Sequence, residues 1–254
     1  MMFRKRFPPA RRRVRACVAA LLAIAAAALA GAVRAAPFED TIAQRVLACT
    51  GCHGEQGRAG PDGYYPRLAG KPAGYLFNQL RNFRDERRHY ALMNGLLALL
   101  DDAYLREIAA YFASLDVPYP PPAPSSTAAT LRERGEALVR RGDPVRSLPA
   151  CTQCHGDAMT GRAPFIPGLL GLSRDYLNAQ LGAWRNGQRR AIEPDCMAQL
   201  ARSLAPEEIG AVSAWLAAQP VPAHAAAPPA PSTPLPIACG GVAAATGAAS
   251  APTR

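Results

Sequence analysis

Two five-residue segments, Cys49-Thr50-Gly51-Cys52-His53 and Cys151-Thr152-Gln153-Cys154-His155, each set two thiols three positions apart with an imidazole directly after the second. Within one helical turn this spacing lines both sulfurs along one edge of a flat ligand and turns the histidine toward its centre. The chemistry that fits is covalent attachment of haem, with two thioethers to the porphyrin vinyl groups and one imidazole on the iron. Cys49 and Cys52 are then the attachment points of a first haem with His53 as proximal ligand, and Cys151, Cys154 and His155 serve a second haem in the same roles. A closed zinc site takes four ligands, and beyond these residues the chain has only His89 and His224. A redox-active thiol pair calls for alternating strands and helices, a pattern this sequence lacks.

The ligand on the other face of each iron decides what the haem does. A methionine thioether opposite histidine raises the potential and closes the iron to outside ligands, which suits electron transfer over oxygen or peroxide chemistry. Met93 and Met197 are the candidates. Besides Met1 and Met2 the remaining methionine is Met159, four residues after His155 and too near it in sequence to reach the opposite haem face. A methionine is ordinarily a core filler, but Met93 and Met197 share a register: seven residues on stands Leu100 or Leu204, and eighteen on Tyr111 or Trp215. His89, four residues before Met93, is the alternative ligand, against which stands its place in the basic, solvated segment 84–89. His224 lies in a low-complexity tail and has no assigned role, and no residue is assigned a catalytic one.

That shared register is part of an internal repeat. Each unit opens on a helix-like segment (38–48 and 130–141), passes through its C-x-x-C-H, and enters a Gly/Pro-rich loop with the pattern P-x-L-x-G, Pro66 to Gly70 and Pro167 to Gly171. A helix follows, with Tyr75-Leu76, Gln79-Leu80 and Phe83-Arg84 matched by Tyr176-Leu177, Gln180-Leu181 and Trp184-Arg185. Each unit closes on an amphipathic helix, opened by Asp101-Asp102 or Pro206-Glu207-Glu208, both good first-turn sequences. No period-two strand appears, so the expected fold is all-α. Pro66 and Pro167 either shape the backbone beside each proximal histidine, where a carbonyl can accept the Nδ1 proton, or are ordinary loop punctuation. Arg84 and Arg185 either pair with haem propionates or face solvent. Tyr75, Tyr176, Phe83, Trp184, Tyr111 and Trp215 are read as haem-pocket or helix-contact residues.

Before these units lies a segment with the form of an export signal. Eight basic residues and no acidic one, with an alanine- and leucine-rich run over 16–33 and Val33-Arg34-Ala35 at its end, predict cleavage after Ala35 or Ala36. An uncleaved membrane anchor is the alternative, because the 18-residue run is near the lower limit for a span. The leader holds most of the chain's formal charge of +10 and leaves +2 for the rest, which offers no basic face for nucleic acid. The expected organisation of the 254 residues is a signal peptide (1–36), an N-terminal domain (37–116), a Pro-rich linker (117–127), a C-terminal domain (128–219) and an Ala/Pro-rich tail (220–254) without fixed structure.

With tandem C-x-x-C-H units, P-x-L-x-G loops, the Y-L-x-x-Q-L-x-x-aromatic-R helix and the Met-to-aromatic closing segment in place, residues 38–219 resemble the cytochrome c4 family of dihaem class I cytochromes. The resemblance implies two small helical class I domains, each wrapped on one covalent haem c with His/Met ligation. It also implies periplasmic electron delivery from a quinol-oxidising complex or a dehydrogenase to a terminal oxidase or other acceptor, with peripheral membrane association compatible. Two rivals use the same haem residues: the cytochrome subunit of an alcohol, sulfide or sulfur-compound dehydrogenase, and a dihaem peroxidase, which needs one open iron. The chain departs from the family pattern in a first-unit loop (84–89) that reaches its methionine sooner than 185–197, and in the tail after Gln219. Of seven cysteines, Cys17 falls in the leader and Cys196 and Cys239 remain after the haem candidates. An oxidising compartment permits their pairing, and two separate thiols remain equally open. A Cys196–Cys239 bridge would tether the tail beside Met197.

Overall fold

The computed structural model describes residues 14, 15, 17–24, 39–122, 127–231 and 233–242. Two compact units are present, one up to Asp40 and one from Thr41 onward. In the first, residues 14, 15 and 17–24 are helical with exposed side chains. The expected cleavage positions Ala35 and Ala36 and most of the expected leader or anchor lie outside the described residues. No helix among the described residues is long and apolar enough to cross a membrane.

The second unit is helical. Its first half runs through α1 (Ile42–Arg45), α2 (Leu47–His53), α3 (Ala73–Arg84), α4 (Ala91–Leu97) and α5 (Asp102–Ser114). Its second half runs through α6 (Ala129–Arg141), α7 (Cys151–His155), α8 (Arg174–Arg185), α9 (Cys196–Ser203) and α10 (Pro206–Ala217). The single helix expected over 38–48 is instead α1 and α2, separated at Val46 (φ −92°, ψ 7°), whose side chain is buried in the core. A two-residue antiparallel pair, Gly161–Arg162 with Ile166–Pro167, also departs from the strand-free expectation. It is too short to show alternation in a sequence.

The helix openings follow their sequences. Asp101 accepts from the Tyr104 amide at 2.8 Å, and the Glu208 carboxylate accepts from the Ala205 amide at 3.0 Å behind Pro206; each satisfies a donor that a helix start leaves free. Each half buries its own apolar cluster. Val46, Leu76, Leu97, Leu105, Ile108 and Phe112 form the first, and Leu138, Leu177, Leu204, Val212, Trp215 and Leu216 are central to the second, which also takes in Met159. In the second half α6 lies so close to α10 that a Cβ at Gly135 would stand 2.2 Å from the Ala211 carbonyl oxygen. Glycine there is a requirement of the crossing.

The expected linker has no helix or strand over 117–122 and its prolines are exposed there, but it is pinned at its start. Val117 is buried, the Arg67 guanidinium donates to the carbonyls of Val117 and Pro118, and it stacks 3.8 Å from the centre of the Tyr119 ring. Residues 123–126 lie outside the described set. The tail, expected to lack fixed structure unless Cys239 tethers it, is tethered: Cys196 and Cys239 form a disulfide with Cα atoms 5.0 Å apart. The end of the expected tail, 243–254, lies outside the described residues.

Candidate functional site

The two C-x-x-C-H segments fold as the short helices α2 and α7, and each ends on its histidine because a glycine with positive φ follows, Gly54 (76°) and Gly156 (82°). A Cβ at Gly54 would lie 2.4 Å from the Ala59 carbonyl oxygen, so the chain can turn sharply there only without a side chain. The turn returns the backbone past the histidine. His53 Nδ1 donates to the Pro66 carbonyl and His155 Nδ1 to the Pro167 carbonyl, both at 2.8 Å. Both rings are buried. Burial is the main cause that holds both imidazoles below their ordinary pKa, with Arg88 near His53 and Lys71 and Arg162 near His155 adding to it. A neutral imidazole whose Nδ1–H is committed to a carbonyl presents the Nε2 lone pair, the form a metal ligand takes.

Burial also raises the thiols of Cys49 and Cys154, and pushes Cys151 up to about 11. Their surroundings favour neutral sulfur over thiolate. Among the described residues no group of three or more His, Cys, Asp or Glu side chains is arranged to hold a metal ion.

Both sets open onto one continuous cavity of about 900 Å³, whose wall includes Cys49, Cys52, His53 and Met93 from the first half and Cys151, Cys154, His155 and Met197 from the second. The structure therefore brings all eight sequence-predicted site residues to one space. Met93 and Met197 are half-buried and stand on corresponding helices of the two halves, α4 and α9. Both helices are fixed at their N-termini by a polar side chain. Asn94 Oδ1 accepts from the Tyr90 amide at 2.7 Å, and Asp195 accepts from the Ala191 and Ala198 amides at 2.7 and 3.0 Å. His89 also borders the cavity but is exposed. Met159 is buried in the second core cluster, away from the cavity wall.

Arg84 and Arg185 do not meet either expectation made for them. Neither borders the cavity. Arg84 donates to the Leu100 carbonyl at 3.1 Å and Arg185 to the Leu204 carbonyl at 2.5 Å. These are the leucines seven residues past each methionine, so the two arginines tie the end of α3 or α8 to the turn that ends the methionine segment. Tyr111 and Trp215 are helix contacts: Tyr111 meets Phe112 edge-on at 5.2 Å and Trp215 lies in the second core under Arg140. Tyr75, Phe83, Tyr176 and Trp184 do border the cavity.

Sequence reasoning passed over a cluster at the meeting of the two halves. Arg88 and Arg189 are buried cavity-wall residues joined by an antiparallel bridge. Arg88 donates to Gln79 and Gln180 at 2.9 and 2.8 Å, and Arg189 donates to Gln180 and Gln79 at 2.6 and 2.8 Å. Burial first, and the neighbouring Arg189 charge second, push Arg88 down to about 10, still charged at neutral pH. Both glutamines stand in the quoted repeat, and each arginine follows its glutamine by nine residues in both units; that offset was the available signal. Trp184 Nε1, also in the wall, is a buried donor with no acceptor among the described residues. Two buried guanidiniums and an unsatisfied N–H around an apolar cavity call for an anion on an apolar body. A haem with its propionates has that character, so the residues present fit the group.

No family model matches the chain. It is 39% identical over 199 residues to the thiosulfate dehydrogenase electron acceptor of Thiomonas intermedia, covering 78% of this chain and 91% of that protein. It is 34% identical over 174 residues to cytochrome c4 of Pseudomonas aeruginosa, covering 68% of this chain and 84% of that protein. In structure it is similar to reduced recombinant cytochrome c4 from Pseudomonas stutzeri, with a TM-score of 0.58 and 32% identity over 68% of this chain and 93% of the other.

Proposed function

The chain belongs to the cytochrome c4 family of dihaem electron-transfer cytochromes, and on that premise we propose that it carries single electrons from a periplasmic sulfur-compound dehydrogenase toward an oxidase or other acceptor. The observation that supports this reading above others is the duplication of one complete set, two cysteines, a carbonyl-held histidine and a methionine, around a single cavity. Bound haem c supplies an iron that alternates between ferric and ferrous states by one electron at a time.

The residues divide the work as follows. Cys49 and Cys52, and Cys151 and Cys154, would hold the two haems by thioethers. His53 and His155, oriented by the Pro66 and Pro167 carbonyls, and Met93 and Met197, on the same cavity wall, would supply the irons' protein ligands. A thioether from Met93 or Met197 would disfavour the ferric form and bar outside ligands, which suits a carrier over a peroxidase. Arg88 and Arg189, buried in the cavity wall where the halves meet, would offset propionate charge. The domain limits are 37–116 and 128–219, joined through 117–127. Export by the leader places the mature chain in the periplasm.

The donor class rests on the 39% identity to a thiosulfate dehydrogenase electron acceptor. Rapid mixing of the oxidised holoprotein with a thiosulfate dehydrogenase and thiosulfate tests it. Reduction of both haems on the time scale of turnover is expected. Reduction by a quinol-oxidising complex alone, with none by the dehydrogenase, moves the donor to the respiratory complex.

A further inference from the structure

We infer that the disulfide-anchored tail is a strap that positions Met197 and seals the second haem site, so that closure of this iron, unlike the first, depends on the Cys196–Cys239 bond. The inference rests on the His/Met reading of the two sites.

The bond joins Cys196, the first residue of α9 and the immediate neighbour of Met197, to a residue 43 positions later. Cysteine 196 occupies the position that Leu92 holds beside Met93, and Leu92 is exposed at 67%. The tail is then fastened on both sides of the bond. The Gly240 amide donates to the Pro194 carbonyl at 2.9 Å, directly before α9. Asn78 on α3 donates to the Gly241 carbonyl at 2.7 Å. Upstream, Ala163 donates to the Pro228 carbonyl at 2.7 Å and receives the Ala230 amide at 3.0 Å. Along this path Leu235, Ile237, Gly241 and Val242 join the cavity wall. The tail therefore brings apolar side chains to the cavity and a covalent anchor to the residue beside the ligand.

The first half has no such cover among the described residues. Its methionine helix α4 exposes Leu92 and Leu96, and Leu99 just beyond it is exposed too, whereas Leu200, the counterpart of Leu96, is half-buried. The α4 backbone is held instead by the short loop through Asn94, whose Nδ2 donates to the carbonyls of Phe83 and Arg88. The loop before Met197 is three residues longer, and the strap restrains that added length. Loss of an anchor at one end of a loop raises the entropy of its open states, and a thioether, as a weak neutral ligand, is the bond that yields first.

The test is the full-length holoprotein carrying Cys196→Ala and Cys239→Ala together, so that no free thiol competes for the iron. The readouts are the thioether-to-iron charge-transfer band of the ferric protein and carbon monoxide uptake by the ferrous protein. The strap predicts loss of up to half the band and uptake approaching one carbon monoxide per chain, with the first haem unchanged. If the double variant fails to mature, the wild-type holoprotein is treated with a phosphine, the two released thiols are alkylated, and the same readouts are taken after reoxidation by ferricyanide. A full band with no carbon monoxide uptake in either preparation overturns the strap. A band already at half strength in the untreated protein overturns the His/Met reading instead.

Discussion

Arg88 of the first half donates to Gln180 of the second at 2.8 Å, and Arg189 returns the contact to Gln79 at 2.8 Å. Each guanidinium is thus held by amides from both halves, with the other positive charge alongside. Arg88→Met removes one charge from the shared wall. Since a positive charge disfavours ferric iron, both reduction potentials are expected to fall in a redox titration. The amide oxygens of Gln79 and Gln180 each lose a buried donor, and the unfolding free energy is expected to drop by about 1–3 kcal/mol.

Trp184 carries the buried N–H that lacks an acceptor, and its ring lies 3.6 Å beneath the Arg189 guanidinium. Its counterpart in the repeat is Phe83, under Arg88 at 4.1 Å. Trp184→Phe keeps the aromatic face and deletes the donor. The potential of the second haem is expected to fall while that of the first stays within error, because a propionate without that hydrogen bond keeps more negative charge near the iron.

The carbonyls of Leu100 and Leu204 are held by Arg84 and Arg185. Arg185→Ala leaves the Leu204 carbonyl without this charged donor, a change that costs about 1.5–3 kcal/mol in comparable hydrogen bonds. Chemical denaturation is expected to show a loss of that order, with the visible spectrum of the folded protein unchanged. A spectral shift at one haem would restore the propionate role.

Much of this was written in the residue types. The C-x-x-C-H segments, the proline carbonyls beside each histidine and the paired methionines are local or repeat-register features, and a sequence shows those directly. Arg84 and Arg185 were found but left between two roles, and their backbone acceptors were not foreseen, because the acceptor of a long guanidinium is set by tertiary placement and not by register. Arg88 and Arg189 were missed since their meaning arises only where the halves meet. The path of the tail was conditional on one distance, that between Cys196 and Cys239, which no sequence supplies.

Glu208 gives the second half an acid-sensitive anchor. Its carboxylate accepts from Arg146 at 2.8 and 3.0 Å, from Arg134, and from the Ala205 amide, and the Arg146 hydrogen bond chiefly holds it down at about 2, against an ordinary 4.5. A carboxylate lowered in the folded state contributes stability that is complete above its unfolded pKa and is lost as pH falls through the folded value. Denaturation midpoints taken from pH 6 to pH 2 are therefore expected to fall more steeply for the wild type than for Glu208→Gln, with the two curves converging toward the acid end.

The central claim is that both irons are closed by histidine and methionine in a carrier of single electrons. Its most direct measurement is a spectroelectrochemical titration of the full-length holoprotein that follows the thioether-to-iron band and carbon monoxide uptake together. Two one-electron steps per chain, a band accounting for both ferric haems and no carbon monoxide bound to the ferrous form are predicted. A band from one haem only, or rapid carbon monoxide binding to either iron of the unmodified protein, would contradict the account.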